Sequence, residues 1–539
     1  ALRARGFDGS GVKVGVISDG VDNRAAAQAT GDLPANITIV TYAGSGDEGT
    51  AMLEIVHDLS PGAELGFCGP TTSLEMIDCV NDLAGIFGAD IIVDDLGFFL
   101  EPYFEDGPIA QAVTDVVPDV VYVSATGNDA EMHYQAAYVH SGDAFNSHDF
   151  GGGDTTLPIA IPQGGGVVLL QWSTPFGMRQ ESGDNYKLCL TTNAAGTTTL
   201  FCSSPPNVPF SFDNPIEVLS LRCDAPRGCS GHIQVRRVAG KAQELEMFFL
   251  DTSPTQFNVA ADSVFGHPAV PGVLATAAIA ASDPGNDTIE DFSSQGPATI
   301  LFPVLEIRQK PDIAAIHGVR VTGAGGFPRR FFGTSAAAPH VAGVAALLRG
   351  GYPVTAGDIV DVLKNSAVDV GGVGRVDALA AAQQLSPDGE IDLPVGDVTI
   401  TVGDAVTFAG TGMDLDGHTP LTFAWHFGSG ASGSTLEDPG TVTFSTAGTF
   451  SVTFTVTDSR GVGDPTPDTR TIVVNRPSGR GGGCTLHPGA QVDFAFVGLV
   501  AFIMAHVASK RRRQRLREAL RTCMEPAARG GLRSTTPPV

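Results

Sequence analysis

Ser335 lies in the stretch 332–348, FGTSAAAPHVAGVAALL, behind Gly333 and Thr334 and ahead of three alanines. That order suits a nucleophile. Glycine allows a tight turn, the hydroxyl lands near a helix N-terminus, and small neighbours leave room for a substrate. Pro339 is tolerated near the start of the apolar run, because the first N–H groups of a helix have no intrahelical acceptor. An ordinary buried helix capped by Thr334 or Ser335 fits the same letters, so the serine needs partners. Candidates stand at the ends of short apolar runs: Asp19 and Asp22 after 12–18 (VKVGVIS), Asp94 and Asp95 in 89–97 (ADIIVDDLG), and Asn128 closing 120–128 (VVYVSATGN). Glu48, in the string Asp47, Glu48, Gly49, Thr50, opens the helical run 51–59.

These runs read as strands buried on both faces, delivering polar groups at their C-terminal edge, where α/β sheets assemble their sites. Another such strand is predicted over 63–65, after the Pro61-Gly62 turn, and another over 273–281. Strand and helix patterns alternate on either side of a long interruption, which predicts a parallel α/β sheet.

Together these motifs closely resemble the subtilases, the subtilisin-like serine peptidases. The resemblance covers about 6–130 and 264–384, with 292–297 (FSSQGP) and 310–315 (KPDIAA) matching two further signatures. It implies a subtilisin-like fold with Ser335 as nucleophile and Asn128 as a donor to the oxyanion. It also implies a primary specificity pocket walled by Leu96, Gly97, Ala125, Thr126 and Gly127. Two departures matter. Where the family has His-Gly-Thr, this chain has Glu48, Gly49 and Thr50, and an ungapped reading places Ser18 at the family's aspartate, one residue before Asp19. Sedolisins, acid-acting relatives of the same fold, use a glutamate base with an aspartate four residues on, but here that position is Met52. The chain resembles a hybrid, with Glu48 as base and a carboxylate to orient it. Asp19 is the first choice for that partner and Asp22 the alternate. Asp95 is a further candidate, although Asp94 and Asp95 also read as solvated loop acids. His57, nine residues along the helix, is expected to be remote, and His340 structural.

A net charge of −27 conceals an asymmetry: from Arg476 onward there are 11 Lys/Arg against 3 Asp/Glu, leaving 21 against 56 in the body. So acidic a body argues against nucleic-acid binding. The chain opens at Ala1 shortly before its first predicted strand, and a signal peptide and any pro-segment are expected to precede it. None of the eight cysteines makes a C-x-x-C pair, so no metal site is expected, and four within 189–229 suit two local disulfides in an oxidising compartment. Cys68 and Cys79 read equally as free buried thiols.

Between 131 and 263 the alternation stops, and β-like segments such as 166–172 (GVVLLQW), 186–192, 233–238 and 245–250 predict an all-β insertion. The peptidase domain is therefore expected over 1–130 and 264–387. From 388 to 476 short strands return, and 414–417 (DLDG), 423–428 (FAWHFG) and 447–450 (AGTF) resemble the PKD module, an immunoglobulin-like β-sandwich with Trp425 in its core. Its acidic loop raises structural calcium as an option, with a solvated turn as the plainer reading. The remainder, 477–539, holds a Gly-rich stretch, a mostly apolar run at 494–508 and the basic cluster 510–515. That order resembles bacterial C-terminal sorting signals and implies a membrane or envelope contact, with the far C-terminus cytoplasmic before any processing. The reading is an exported, surface-associated serine endopeptidase acting on proteins or peptides. Its rival is a catalytically inactive surface binding protein on the same fold.

Overall fold

The structure, a computed structural model, describes residues 2–203, 213–415 and 417–477. The apolar and basic segments of the tail, with Cys484 and Cys523, lie outside the described residues. Among the described residues no helix is long and apolar enough to cross a membrane.

Valine and isoleucine dominate β1 (Lys13–Ile17), β4 (Ile91–Asp94) and β5 (Val121–Ala125), and β2 (Thr38–Ala43) and β3 (Glu64–Gly69) complete the first half of the central sheet. In space the order is β2, β3, β1, β4, β5, then Leu274–Ala280, Ile313–His317, Gly374–Arg375 and Val368–Asp369. All pairs are parallel except the last, which is antiparallel. The chain moves outward from β1 on one side, then returns to add β4 on the other. The carboxyl ends of β1 and β4 therefore flank a topological switch point, where open α/β sheets leave a crevice. Register pairs Ile17 with Asp94, so the next residues, Ser18 and Asp95, leave the sheet side by side.

Helix α1 (Arg24–Thr30) precedes the two helices that matter most on one sheet face: α2 (Glu48–Leu59) and the helix Thr334–Gly351. The second is alanine-rich and buried along nearly its whole length, so its neighbours approach closely. At Gly343 a Cβ would stand 2.8 Å from two carbons of Leu59 on α2. This contact sets how Glu48 and Ser335, at the N-termini of the two helices, stand to each other. The opposite face carries α3 (Ser73–Asp82) and α4 (Pro108–Val116), and the disulfide Cys68–Cys79 ties β3 to α3.

Between β5 and Leu274–Ala280 the chain builds two antiparallel sheets. One orders Thr199–Cys202, Asn185–Thr191, Cys229–Ala239, Leu157–Ile161 and Ser253–Pro254; the other orders Ile216–Leu221, Gly166–Trp172, Glu244–Leu250 and His133–Ala137. Trp172, Tyr186 and Phe249 fill the space between them. The disulfides Cys189–Cys202 and Cys223–Cys229 close the two local loops. The C-terminal sandwich packs a three-stranded sheet, including Asp388–Leu393, against a four-stranded one that includes Asp468–Asn475. Trp425 is buried among Phe408, Phe427 and Phe454. Asp416 of the acidic loop lies outside the described residues, and among the others no cluster of His, Cys, Asp or Glu is arranged to hold a metal ion.

One buried polar network joins the halves of the sheet. His267 Nε2 lies 3.0 Å from Asp94 Oδ1 and its Nδ1 lies 3.3 Å from Glu101 Oε2. Asp94 also accepts from Ser124 Oγ, and Glu101 from the Ala110 N–H at the start of α4. Burial alone would lower the imidazole pKa, but Asp94 and Glu101 push it up to about 10. The histidine is therefore a cation clamped by two acids.

Two outcomes are expected. Gly343→Val forces α2 and the Ser335 helix apart and should lower unfolding free energy by about 1–3 kcal/mol, read by chemical denaturation, with a parallel loss of activity. His267→Gln leaves two buried carboxylates without their cation and should destabilise the protein by about 3–5 kcal/mol at neutral pH. Because the folded pKa of His267 exceeds its ordinary value of 6.5, its contribution is complete below 6.5 and fades as pH rises towards about 10. The gap between wild type and variant should narrow over that window. A gap that stays constant would show that His267 acts through packing alone.

Candidate active site

Helix α2 begins where Asp19 takes up two of its free N–H groups, while Asp47 and Asp22 brace the chain around that start. Asp19 Oδ1 accepts from the backbone N–H of Glu48 at 3.0 Å and of Gly49 at 3.2 Å. Asp47 holds Asn23, accepting from its N–H and its amide at 2.7 Å each, and accepts from Thr50 Oγ1. Asp22 accepts from the Gly46 N–H and faces the 45–46 loop instead of Glu48. Gly49 admits no side chain: a Cβ there would meet the Phe67 ring at 2.4 Å and Gly20 O at 2.7 Å.

So fixed, the Glu48 carboxyl interacts with the Ser335 hydroxyl and with the Asp95 carboxyl. Burial, and then the negative charge of Asp19, raise its pKa. Asp95 projects from the end of β4 with its Oδ1 out of solvent, beside the hydroxyl of the fully buried Ser18. Burial and the adjacent Glu48 raise the Asp95 pKa well above the usual carboxylate range. Side chains alternate across a strand, so Asp94 faces away from this pair into the His267 network. The group that meets the Glu48 side chain is thus on β4, whereas Asp19, the first expectation, meets its backbone.

Ser335 is nearly buried in the first turn of its helix, where Gly333 takes φ +91° just ahead of it. Asn128, exposed at the end of β5, accepts from Thr334 N at 3.0 Å and Thr334 Oγ1 at 3.1 Å through Oδ1. That fixes the amide orientation and leaves its Nδ2 donors over. His57 lies at the far end of α2, near Asp58 and Arg3, with its pKa lowered by burial. His340 is bonded through Nδ1 to Ala336 O within its own helix, and burial pushes its pKa down to about 4.

Beside these groups a cavity of about 40 Å³ is lined by Leu96, Gly97, Ala125, Thr126 and Gly127, the residues expected to wall the specificity pocket. Asp95, Phe99, Glu101, Asp129, Phe265 and His267 also line it. Sequence reasoning missed Asp129, Glu101 and His267. The last two meet across 166 residues of chain, and no local pattern announces such a pair.

A family model described as the subtilase family matches residues 106–381, and one described as the PKD domain matches 390–474. The first match contains Asn128 and Ser335 and begins after Glu48 and Asp95. No curated protein sequence matches the chain. Among solved structures, the CspB protease of Clostridium perfringens is 16% identical, with 70% of this chain and 94% of that chain covered and a TM-score of 0.47. The nisin leader peptidase NisP of Lactococcus lactis is 13% identical, covering 71% and 89% with a TM-score of 0.35. The PKD1 domain of Vibrio anguillarum Epp is 31% identical over 17% of this chain and 96% of its own, at a TM-score of 0.14. With more than half its length matched by the family model, the chain belongs to the subtilase family, and a PKD domain follows its peptidase domain.

Proposed function

We propose that the protein is an exported serine endopeptidase in which Glu48 replaces histidine as the general base and Asp95 orients it. The observation that carries this reading is the closeness of one glutamate carboxyl to both the Ser335 hydroxyl and a second carboxyl, each acting on its pKa. Ser335 Oγ attacks the scissile carbonyl as Glu48 takes its proton. The Asn128 amide and the Ser335 N–H stabilise the oxyanion. Glu48 then returns the proton to the leaving amine, and water resolves the acyl-enzyme by the same route in reverse. Two carboxyls in contact cannot easily both ionise, so they share one proton. Asp95, more deeply desolvated, keeps that proton and donates a hydrogen bond to the Glu48 carboxylate. Asp19 acts on the helix backbone, holding the base in place.

Three disulfides fit an oxidising, extracellular setting. The apolar and basic tail is read as the segment through which the protein meets the cell envelope. The segment 131–263 is read as a separate inserted module.

A serine-directed fluorophosphonate should label Ser335, and Ser335→Ala should abolish both labelling and proteolysis. Folded protein that stays unlabelled from acidic to neutral pH would favour the non-catalytic relative. With both carboxyl pKa values raised, kcat/KM should climb as Glu48 ionises and fall once the Asp95 proton is lost, giving a bell on the acidic side. Glu48→Gln should lose ~10²- to 10⁴-fold in rate while remaining folded. Asp95→Asn, a permanent donor, should keep part of the activity and lose the alkaline limb. Asp19→Asn should weaken activity with both limbs present. Full activity in Glu48→Gln would sink the mechanism.

A further inference from the structure

The cavity beside Ser335 combines apolar walls with an uncompensated acid. Phe98, Phe99 and Phe265 line its sides, and no lysine or arginine is among the residues lining it. His267, its one cation, is already matched by Asp94 and Glu101. Asp129 follows Asn128 directly and is held by its N–H bond to Ser294 Oγ. Its Oδ2 lies 2.8 Å from where a Cβ on Gly127, another wall residue, would stand. From this geometry, and resting on the peptidase reading above, we infer that Asp129 makes the pocket select substrates with lysine or arginine on the acyl side of the scissile bond. Apolar walls suit the methylene stem of such a side chain, and the carboxylate meets its charged end.

The groups facing Asp129 do not supply a rival cation. Burial pushes His133 down to about 4, so it is neutral above that pH, and burial likewise keeps the Tyr103 phenol un-ionised. His133 Nε2 instead faces Glu246 at 3.4 Å, a buried acid whose pKa is raised well above the usual range. Asp262 accepts from Gln135 and from the Thr299 N–H. Glu101 and Asp95 add only negative or neutral character. Burial also pushes Asp129 up to about 6, so its charge is present above that pH and lost below it.

The test is kcat/KM on matched succinyl-Ala-Ala-Pro-X nitroanilides, with X as lysine, arginine, citrulline (the neutral isostere of arginine) and leucine. Arginine over citrulline should reach on the order of 10- to 100-fold. The ratio should shrink as pH falls through about 6 and collapse to within about 3-fold in Asp129→Asn, with Asp129→Glu recovering part of it. An arginine-to-citrulline ratio near one, a leucine preference, or a ratio that ignores both pH and the substitution would overturn the inference while leaving the peptidase reading intact. If no substrate is cleaved and Ser335 is not labelled, the peptidase reading fails. Equilibrium binding of the Ala-Ala-Pro-Arg and Ala-Ala-Pro-citrulline acids then decides the pocket, with equal affinity counting against it. The pH series on the wild type keeps the test decisive should Asp129→Asn not fold.

Discussion

Two carboxyl groups pressed together out of water cannot easily both be charged, and the cleft beside Ser335 brings two such groups, Glu48 and Asp95, together. One group comes from a helix start, the other from a strand end, and neither has meaning without the other. A lone glutamate near its ordinary pKa is a poor proton acceptor at mild pH. Glu48 gains basicity from burial and from the nearby charge of Asp19, while the Asp95 side chain, by hydrogen bonding, offsets part of that rise. The Asp19 cap fixes the start of α2 at the end of β1, and the Gly343 contact sets α2 against the Ser335 helix.

The arrangement also explains how the fold accommodates a missing aspartate at Ser18. The parallel pairing of β1 with β4 brings Ser18 and Asp95 out of the sheet together. An acid on β4 can therefore occupy nearly the space of an acid on β1, with Ser18 reduced to a hydroxyl neighbour. The carboxyl group stands one strand sideways, a displacement of roughly 5 Å in any sheet.

Much of this was legible in the sequence because it is periodic or local. Buried strands announce themselves by β-branched runs, and Gly-Thr-Ser ahead of an alanine-rich helix marks Ser335. The partner of Glu48 was not legible, since choosing between Asp19 and Asp95 requires the register of two strands that the letters do not carry. Asp19 was favoured because it leaves the strand edge where the resemblance places the family's aspartate, but the helix N-terminus claims its carboxylate. The buried His267 clamp was invisible for a related reason, being assembled from three distant segments. In the C-terminal sandwich the edge strand Asp388–Leu393 and the inner strand Asp468–Asn475 carry acidic and threonine-rich letters that mask their alternation.

The segment that builds the two antiparallel sheets starts just after Asp129 and ends just before Phe265 and His267, so residues at both joints are pocket walls. Gly266, at φ +66°, fits the return joint because a Cβ there would strike Glu101 Oε2 at 2.2 Å. The tie runs deeper than the joints. Within the antiparallel sheets Gln171 accepts from the Tyr103 N–H and donates to Glu101 O, and Phe248 packs on Phe99 and Phe265. Three walls of the pocket, Phe99, Glu101 and Phe265, are thus braced from the β segment, so a change in its interior reaches the pocket as directly as a change at either joint.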